Sequence, residues 1–260
     1  MADNFLDRAL QYIEEHRSEP FFLYYALQQP HVPRTPHPRF SGTSGMGPRG
    51  DAILEADWCV SRVIDKLVEL GIDRNTLVVF SSDNGPVLND GYYDDAVEKA
   101  GTHTPSGPFR GGKYSLFNAG TNVPFITWWP GNIDPGISDA MVCQIDLMAS
   151  FAACLGLENK GPDSENVLDA LLGKTSGGRA SLVLEANRRT AYRSGKYVLI
   201  PPYEGPAVQP NVNIETGLSP RYQLYDLEAD RGQARDLSET MPGKLEQLKA
   251  EYESLTGQSN

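Results

Sequence analysis

Three short apolar runs, FFLYYAL (21–27), TLVVF (76–80) and VPFITWW (123–129), constrain this chain more than any other feature. The first two are separated by a proline- and glycine-rich loop over 28–50 and a helical pattern over 51–70. That pattern sets Ile53, Leu54, Val60, Val63, Ile64 and Leu67 on one face, and Gly71 is its natural stop. The apolar runs are continuous rather than alternating, as expected for strands covered on both faces. Strand, long helix, strand is the rhythm of an α/β domain with a parallel or mostly parallel sheet. Ligands of such sheets gather beyond the carboxyl ends of the strands. That edge would receive Gln28 to His31, Asp83 with Asn84, and the 100–115 loop.

The rest of the chain is predicted by the same rules. Helices are expected over 4–17, 145–156 and 164–172, and GKTSGGR (173–179) reads as a linker. Beyond it SLVLEA, RTAYRSGKYVLI and RYQLYDL are strand-like with turns between them, and 241–256 is an amphipathic helix. Two domains are therefore expected, 1–179 and 180–260, the second a small antiparallel sheet with a terminal helix.

Composition narrows the function. At 40% hydrophobic and 22% charged the chain is ordinary globular protein, and its net charge of −11 disfavours nucleic-acid or acidic-membrane binding. An anionic substrate would need positive charges gathered locally. No apolar run reaches the ~18 residues of a membrane span, and MADNFLDRAL is no signal peptide. Cys59, Cys143 and Cys154 have no metal-ligand or disulfide spacing, and Cys59 and Cys154 are expected to be small buried hydrophobes.

Three loops carry chemistry. Asp83 and Asn84, in SSDNGP, offer oxygen ligands suited to calcium or magnesium, although Asp, Asn, Gly and Pro are also the commonest turn formers. His31, in QQPHVPRTP, sits between prolines that stiffen its backbone; His16 is expected on a helix surface and His37 in a proline-rich loop, both with the ordinary solvated or structural role. In GTHTPSGPFRGGKYS (101–115), Arg110 and Lys113 flank two glycines that let the backbone approach a ligand closely. A hard-cation pair, a histidine and a lysine on neighbouring strand ends suit the hydrolysis of a sulfate or phosphate ester. No residue among them is an obvious nucleophile.

FFLYYALQQPHVP, TLVVFSSDNGP, GPFRGGKYSLFNAGTNVPFITWWPG and YQLYDLEAD together resemble the type I sulfatases of the alkaline-phosphatase-like superfamily, from about residue 20 to residue 237. The resemblance implies a partial mixed sheet flanked by helices. It further implies that Asp83 and Asn84 are ligands of Ca2+, that Lys113 binds the sulfate, and that His31 lies near the leaving oxygen. His103 and Arg110 fall in the loop that helps form the substrate pocket of similar enzymes.

Sulfatases of this kind use a formylglycine made within a C-x-P-S-R motif, and an Asp-Asp pair completes their calcium site. CVSR (59–62) lacks the proline and falls in a helical pattern, and Asp94–Asp95 follows the wrong motif. The expectation is the C-terminal half of a sulfatase acting on sulfated carbohydrate, inactive alone, from a parent that is exported or lysosomal. An exposed sheet edge would favour self-association. The alternatives are a phosphodiesterase or phosphonate hydrolase of the same superfamily, or a non-catalytic module binding a glycan or a partner chain.

Overall fold

The computed structural model describes residues 1–158 and 161–257. The chain forms two compact units, each assembled from separate stretches. The first comprises Met1–Val78, Val87–Pro105 and Trp128–Gly131; the second comprises Val79–Pro86, Ser106–Thr127 and the chain from Asn132 on. The C-terminal sheet expected from residue 180 thus shares its unit with the segments that carry Asp83 and Lys113.

In the first unit, α1 (Ala2–Glu15) buries Ala2, Leu6, Ala9 and Ile13, one stripe at helical spacing. It packs on α2 (Gly47–Glu69) through Cys59, with Trp58, Val63, Tyr25 and Leu27 closing the cluster. The helix α2 ends in a double turn closure. Gly71 N–H donates to Val68 O at 3.0 Å and Ile72 N–H to Leu67 O at 3.0 Å, while Gly71 takes φ +68°. This is the Schellman arrangement that a glycine after the last turn permits.

The proline-rich loop is fastened to α2 rather than loose. Gln29 Nε2 and His37 N–H both donate to the buried Glu55 carboxylate, and Asp51 accepts from Gly42 N–H, Ser44 N–H and Ser44 Oγ. Arg39 pairs with Asp3 and lies 4.1 Å above the Trp58 ring.

FFLYYAL departs from expectation. Residues 21–27 are extended, but no strand among the described residues pairs with them. Burial alternates: Phe21, Leu23, Tyr25 and Leu27 are half-buried, while Phe22 and Tyr24 are 72% and 82% exposed. The period of two turns alternate residues toward α1 and α2, and Phe22 and Tyr24 on the opposite face stay largely exposed. A continuous apolar run cannot show by itself whether a second layer is present.

In the second unit, β1 (Val78–Ser81) pairs with β2 (Phe125–Trp128) as a two-stranded sheet. Helices α3 (Asp146–Cys154) and α4 (Leu168–Leu171) follow, the latter much shorter than the sequence pattern suggests. Cys154 is exposed, contrary to expectation: the buried stripe of α3 runs through Asp146, Ala149 and Ser150, and its last residue falls off that stripe.

The C-terminal sheet is antiparallel throughout, in the order β3 (Ser181–Ala186), β4 (Arg189–Ser194), β5 (Tyr197–Ile200) and β8 (Gln223–Asp226). Between β5 and β8 lies the hairpin of β6 (Val208–Gln209) and β7 (Ile214–Glu215). Alternation assigns the two faces of the sheet. Tyr192, Leu199 and Leu224 pack on Leu248 and Tyr252 of α5 (Pro242–Thr256). Ala191, Val198, Ile200 and Tyr225 pack on Leu116 and Phe117. The second face therefore anchors the segment immediately following Lys113.

Candidate functional site

In the second unit, the Asp83–Asn84 turn and the Lys113 loop are joined by backbone. Lys113 N–H donates to Pro86 O at 3.0 Å, and Gly85 N–H donates to Gly120 O at 2.9 Å. The approach is close enough to require glycine on both sides. A Cβ on Gly85 would stand 1.7 Å from Ala119 O, and one on Gly112 would stand 2.5 Å from Pro86 O. Gln144 braces the turn from the start of α3, its Nε2 donating to Ser82 O at 2.6 Å and to Ser81 Oγ at 2.9 Å.

Asp83 is exposed, with no hydrogen bond or ion pair among the described residues. The Asn84 amide nitrogen donates to Gly85 O at 2.9 Å, leaving the amide oxygen as the atom to offer a ligand. A carboxylate and an amide oxygen fit a hard cation by donor type, but not by number, since calcium takes six to eight oxygens. Among the described residues no group of three or more His, Cys, Asp or Glu is placed to complete the shell. Lys113 Nζ lies 5.2 Å from the centre of the Tyr114 ring.

Arg110, expected to touch substrate, is engaged by the protein. Its guanidinium forms a bidentate pair with Glu215 at 2.5 and 2.8 Å, donates to Gln233 O at 2.8 Å and lies 4.0 Å above the Phe117 ring. The hydrogen bonds from Arg110 hold the Glu215 carboxyl below the usual glutamate range. Ser115 Oγ donates to Glu215 O at 2.6 Å, and Leu116 N–H to Thr216 O at 2.9 Å. The β6–β7 hairpin is thereby sewn along the Lys113 loop.

His31 and His103 belong to the first unit. His31 Nδ1 lies 2.7 Å from Val32 O. A carbonyl only accepts, so Nδ1 carries the proton and Nε2 is the ring's basic atom. The neighbouring Arg34 spreads its guanidinium donors over the surrounding backbone and one carboxylate. Nε donates to Pro30 O at 2.9 Å, Nη1 to Leu88 O at 2.9 Å and Nη2 to Val87 O at 3.1 Å, and Nη1 pairs with Asp94 at 2.9 Å. This answers the Asp94–Asp95 pair: Asp94 is the counter-ion of buried Arg34, and Asp95 pairs with Lys99 at 2.7 Å. His103 is exposed, its N–H closing a turn to Ala100 O.

Sequence patterns missed Gln144, Arg34, Glu215 and Gln233. Their partners lie 62, 60, 105 and 123 residues away, beyond any local pattern.

These features coincide with a known family. The Sulfatase family model matches residues 1–157, and the chain belongs to that family. It is 42% identical over 259 residues to an N-acetylgalactosamine-6-O-sulfatase of Bacteroides thetaiotaomicron, covering 98% of this chain and 51% of the relative. It is 31% identical over 238 residues to human arylsulfatase A, covering 86% of this chain and 45% of that protein. A solved structure from work on the metabolism of multiple glycosaminoglycans by B. thetaiotaomicron superposes with a TM-score of 0.95 at 41% identity. It covers 99% of this chain and 54% of the solved one. The fold is thus that of the sulfatases, and the chain spans about half the length of the bacterial relative it matches.

Proposed function

We propose that this chain is the sulfate-binding, C-terminal portion of a sulfatase that cleaves sulfate esters of carbohydrate, with 6-sulfated N-acetylgalactosamine as the substrate. The observation that carries the proposal is the backbone clamp between the Asp83–Asn84 turn and the Lys113 loop, Lys113 N–H to Pro86 O and Gly85 N–H to Gly120 O. Asp83 and Asn84 would hold part of a calcium shell; the bound ion would help neutralise the oxyanion. Lys113 would bind the sulfate oxygens and oppose charge that builds up in the transition state. His31, protonated at Nδ1, would serve the leaving oxygen through Nε2. The 260 residues contain no C-x-P-S-R sequence, so the formylglycine and the remaining cation ligands would come from polypeptide outside them.

The test is sulfate release from 6-sulfated N-acetylgalactosamine, measured for this chain alone and for a protein joining it to the missing half of the relative's length. The chain alone should show no turnover and weak calcium binding. The joined protein should be active and should lose activity on Lys113→Ala. Metal-dependent hydrolysis by the 260 residues alone, or a joined protein that prefers phosphate or phosphonate esters, would overturn the proposal.

A further inference from the structure

Arg49 is the third residue of α2 and only 8% exposed, yet among the described residues its side chain makes no hydrogen bond and no ion pair. Its surroundings disfavour a charge. The first turn of this 23-residue helix carries no acidic residue, and its N-cap, Met46, offers no side-chain acceptor. The positive end of the helix dipole therefore meets a second positive charge, an arrangement that ordinarily destabilises a helix. Burial and the neighbouring Arg34 both disfavour the charged form of Arg49, and Asp94 is the only carboxylate that favours it. Asp94, however, is already paired with Arg34 at 2.9 Å. The other charges near this end are committed as well: Asp51 to the 42–44 loop, and Lys99 to Asp95. Two guanidinium groups thus face one carboxylate, leaving one positive charge uncompensated.

The direction of the side chain follows from helix geometry. Cα–Cβ bonds tilt toward the N-terminus, so a first-turn residue reaches back over the helix start. The same place holds Asp94, whose carbonyl oxygen lies 3.7 Å from where a Cβ on Gly47 would stand. The guanidinium nitrogens are not among the buried atoms lacking a partner, so they stay open to solvent at the end of a covered stem. A buried, unpaired guanidinium that reaches water at the positive end of a helix is an anion receptor.

We infer that the N-terminal turn of α2 with Arg49 is a second anion subsite, one that takes a sulfate or carboxylate group of an acidic sugar. The glycan identity rests on the sulfatase reading; anion binding itself does not. Acidic glycans carry repeated oxyanions of the kind this subsite would take.

The experiment is an NMR titration of the 260-residue chain, following arginine Nε–H signals in inorganic sulfate and in N-acetylgalactosamine 6-sulfate. Chloride at matched ionic strength is the control. The Arg49 signal, identified by its loss in Arg49→Met, should shift saturably with both probes and not with chloride. It should shift equally in Lys113→Ala, which separates this subsite from the proposed catalytic one. In chloride, Arg49→Met should raise the unfolding midpoint by roughly 2–4 °C through loss of an uncompensated charge. An Arg49 signal unmoved by either probe overturns the inference, and so does an Arg49→Met protein that unfolds earlier than the parent or fails to fold. An adventitious ion only would show as a response to free sulfate with none to the sulfated sugar, and would refute the glycan subsite.

Discussion

Arg110 and Glu215 show how one residue pair can serve a site without touching its ligand. The pair is partly exposed, at 30% and 47% of the side chains, so solvent screens it and its Coulombic worth is modest. Glu215 has its carboxyl pK held down in the fold by Arg110. Its contribution is therefore fully present above the ordinary glutamate range and is lost as pH falls through the depressed folded value. Urea unfolding across acidic pH should show this slope in the parent and a shallower one in Glu215→Gln. Arg34 is a different case, because its side chain is 2% exposed and Asp94 13%. Arg34→Met should cost about 3–5 kcal/mol by breaking a buried, hydrogen-bonded ion pair, and adding Asp94→Asn should recover part of that loss. Equal stability of the single and double variants in urea would refute the coupling. Of the candidate site, Asp83, Asn84, His31 and Lys113 can be singled out from the sequence because each sits in a short motif. Their supports cannot be, because Arg34 meets Asp94 across 60 residues of chain.

Elements were read from the sequence more reliably than their surroundings. The helices α1, α2 and α5 and the C-terminal strands fall where periodicity puts them, since each period directly reflects one buried face. FFLYYAL was misjudged because an apolar run records what a segment can bury, not what is there to bury it. Turn chemistry adds a testable detail. Asn187 and Arg188 link β3 to β4 with φ of +51° and +63°, the two positive values of a type I′ turn. Arginine pays for that conformation, whereas glycine adopts it freely. Arg188→Gly should therefore stabilise the protein by about 0.5–1 kcal/mol, read as a higher thermal midpoint. A lower midpoint would refute that relief, because the Glu185 carboxylate keeps its bond to the N–H of residue 188 in the variant.

At the scale of the whole molecule, the exposed side of residues 21–27 bears on behaviour in solution. Phe22 and Tyr24 place large apolar groups on one face of an extended segment that lacks a neighbouring strand among the described residues. Such a face invites pairing with another chain. The protein should self-associate with rising concentration in light scattering, and Phe22→Lys with Tyr24→Lys should return it toward monomer. A parent that stays monomeric at high concentration would count against this. No helix among the described residues is long and apolar enough to cross a membrane.

The stitching of the Lys113 loop has a consequence for biosynthesis. Arg110 waits for Glu215, 105 residues later, and for the Gln233 carbonyl, 123 residues later. At roughly 5–20 residues per second, the ribosome would take about 6–25 s to supply that last partner. For that interval the lysine segment is held by its backbone bonds to the Asp83–Asn84 turn but lacks its downstream partners, and the β3–β4–β5 meander, whose contacts are local, can form before they dock. A nascent chain released before Gln233 would carry the DNGP and GGK motifs intact and still lack the scaffold that holds them.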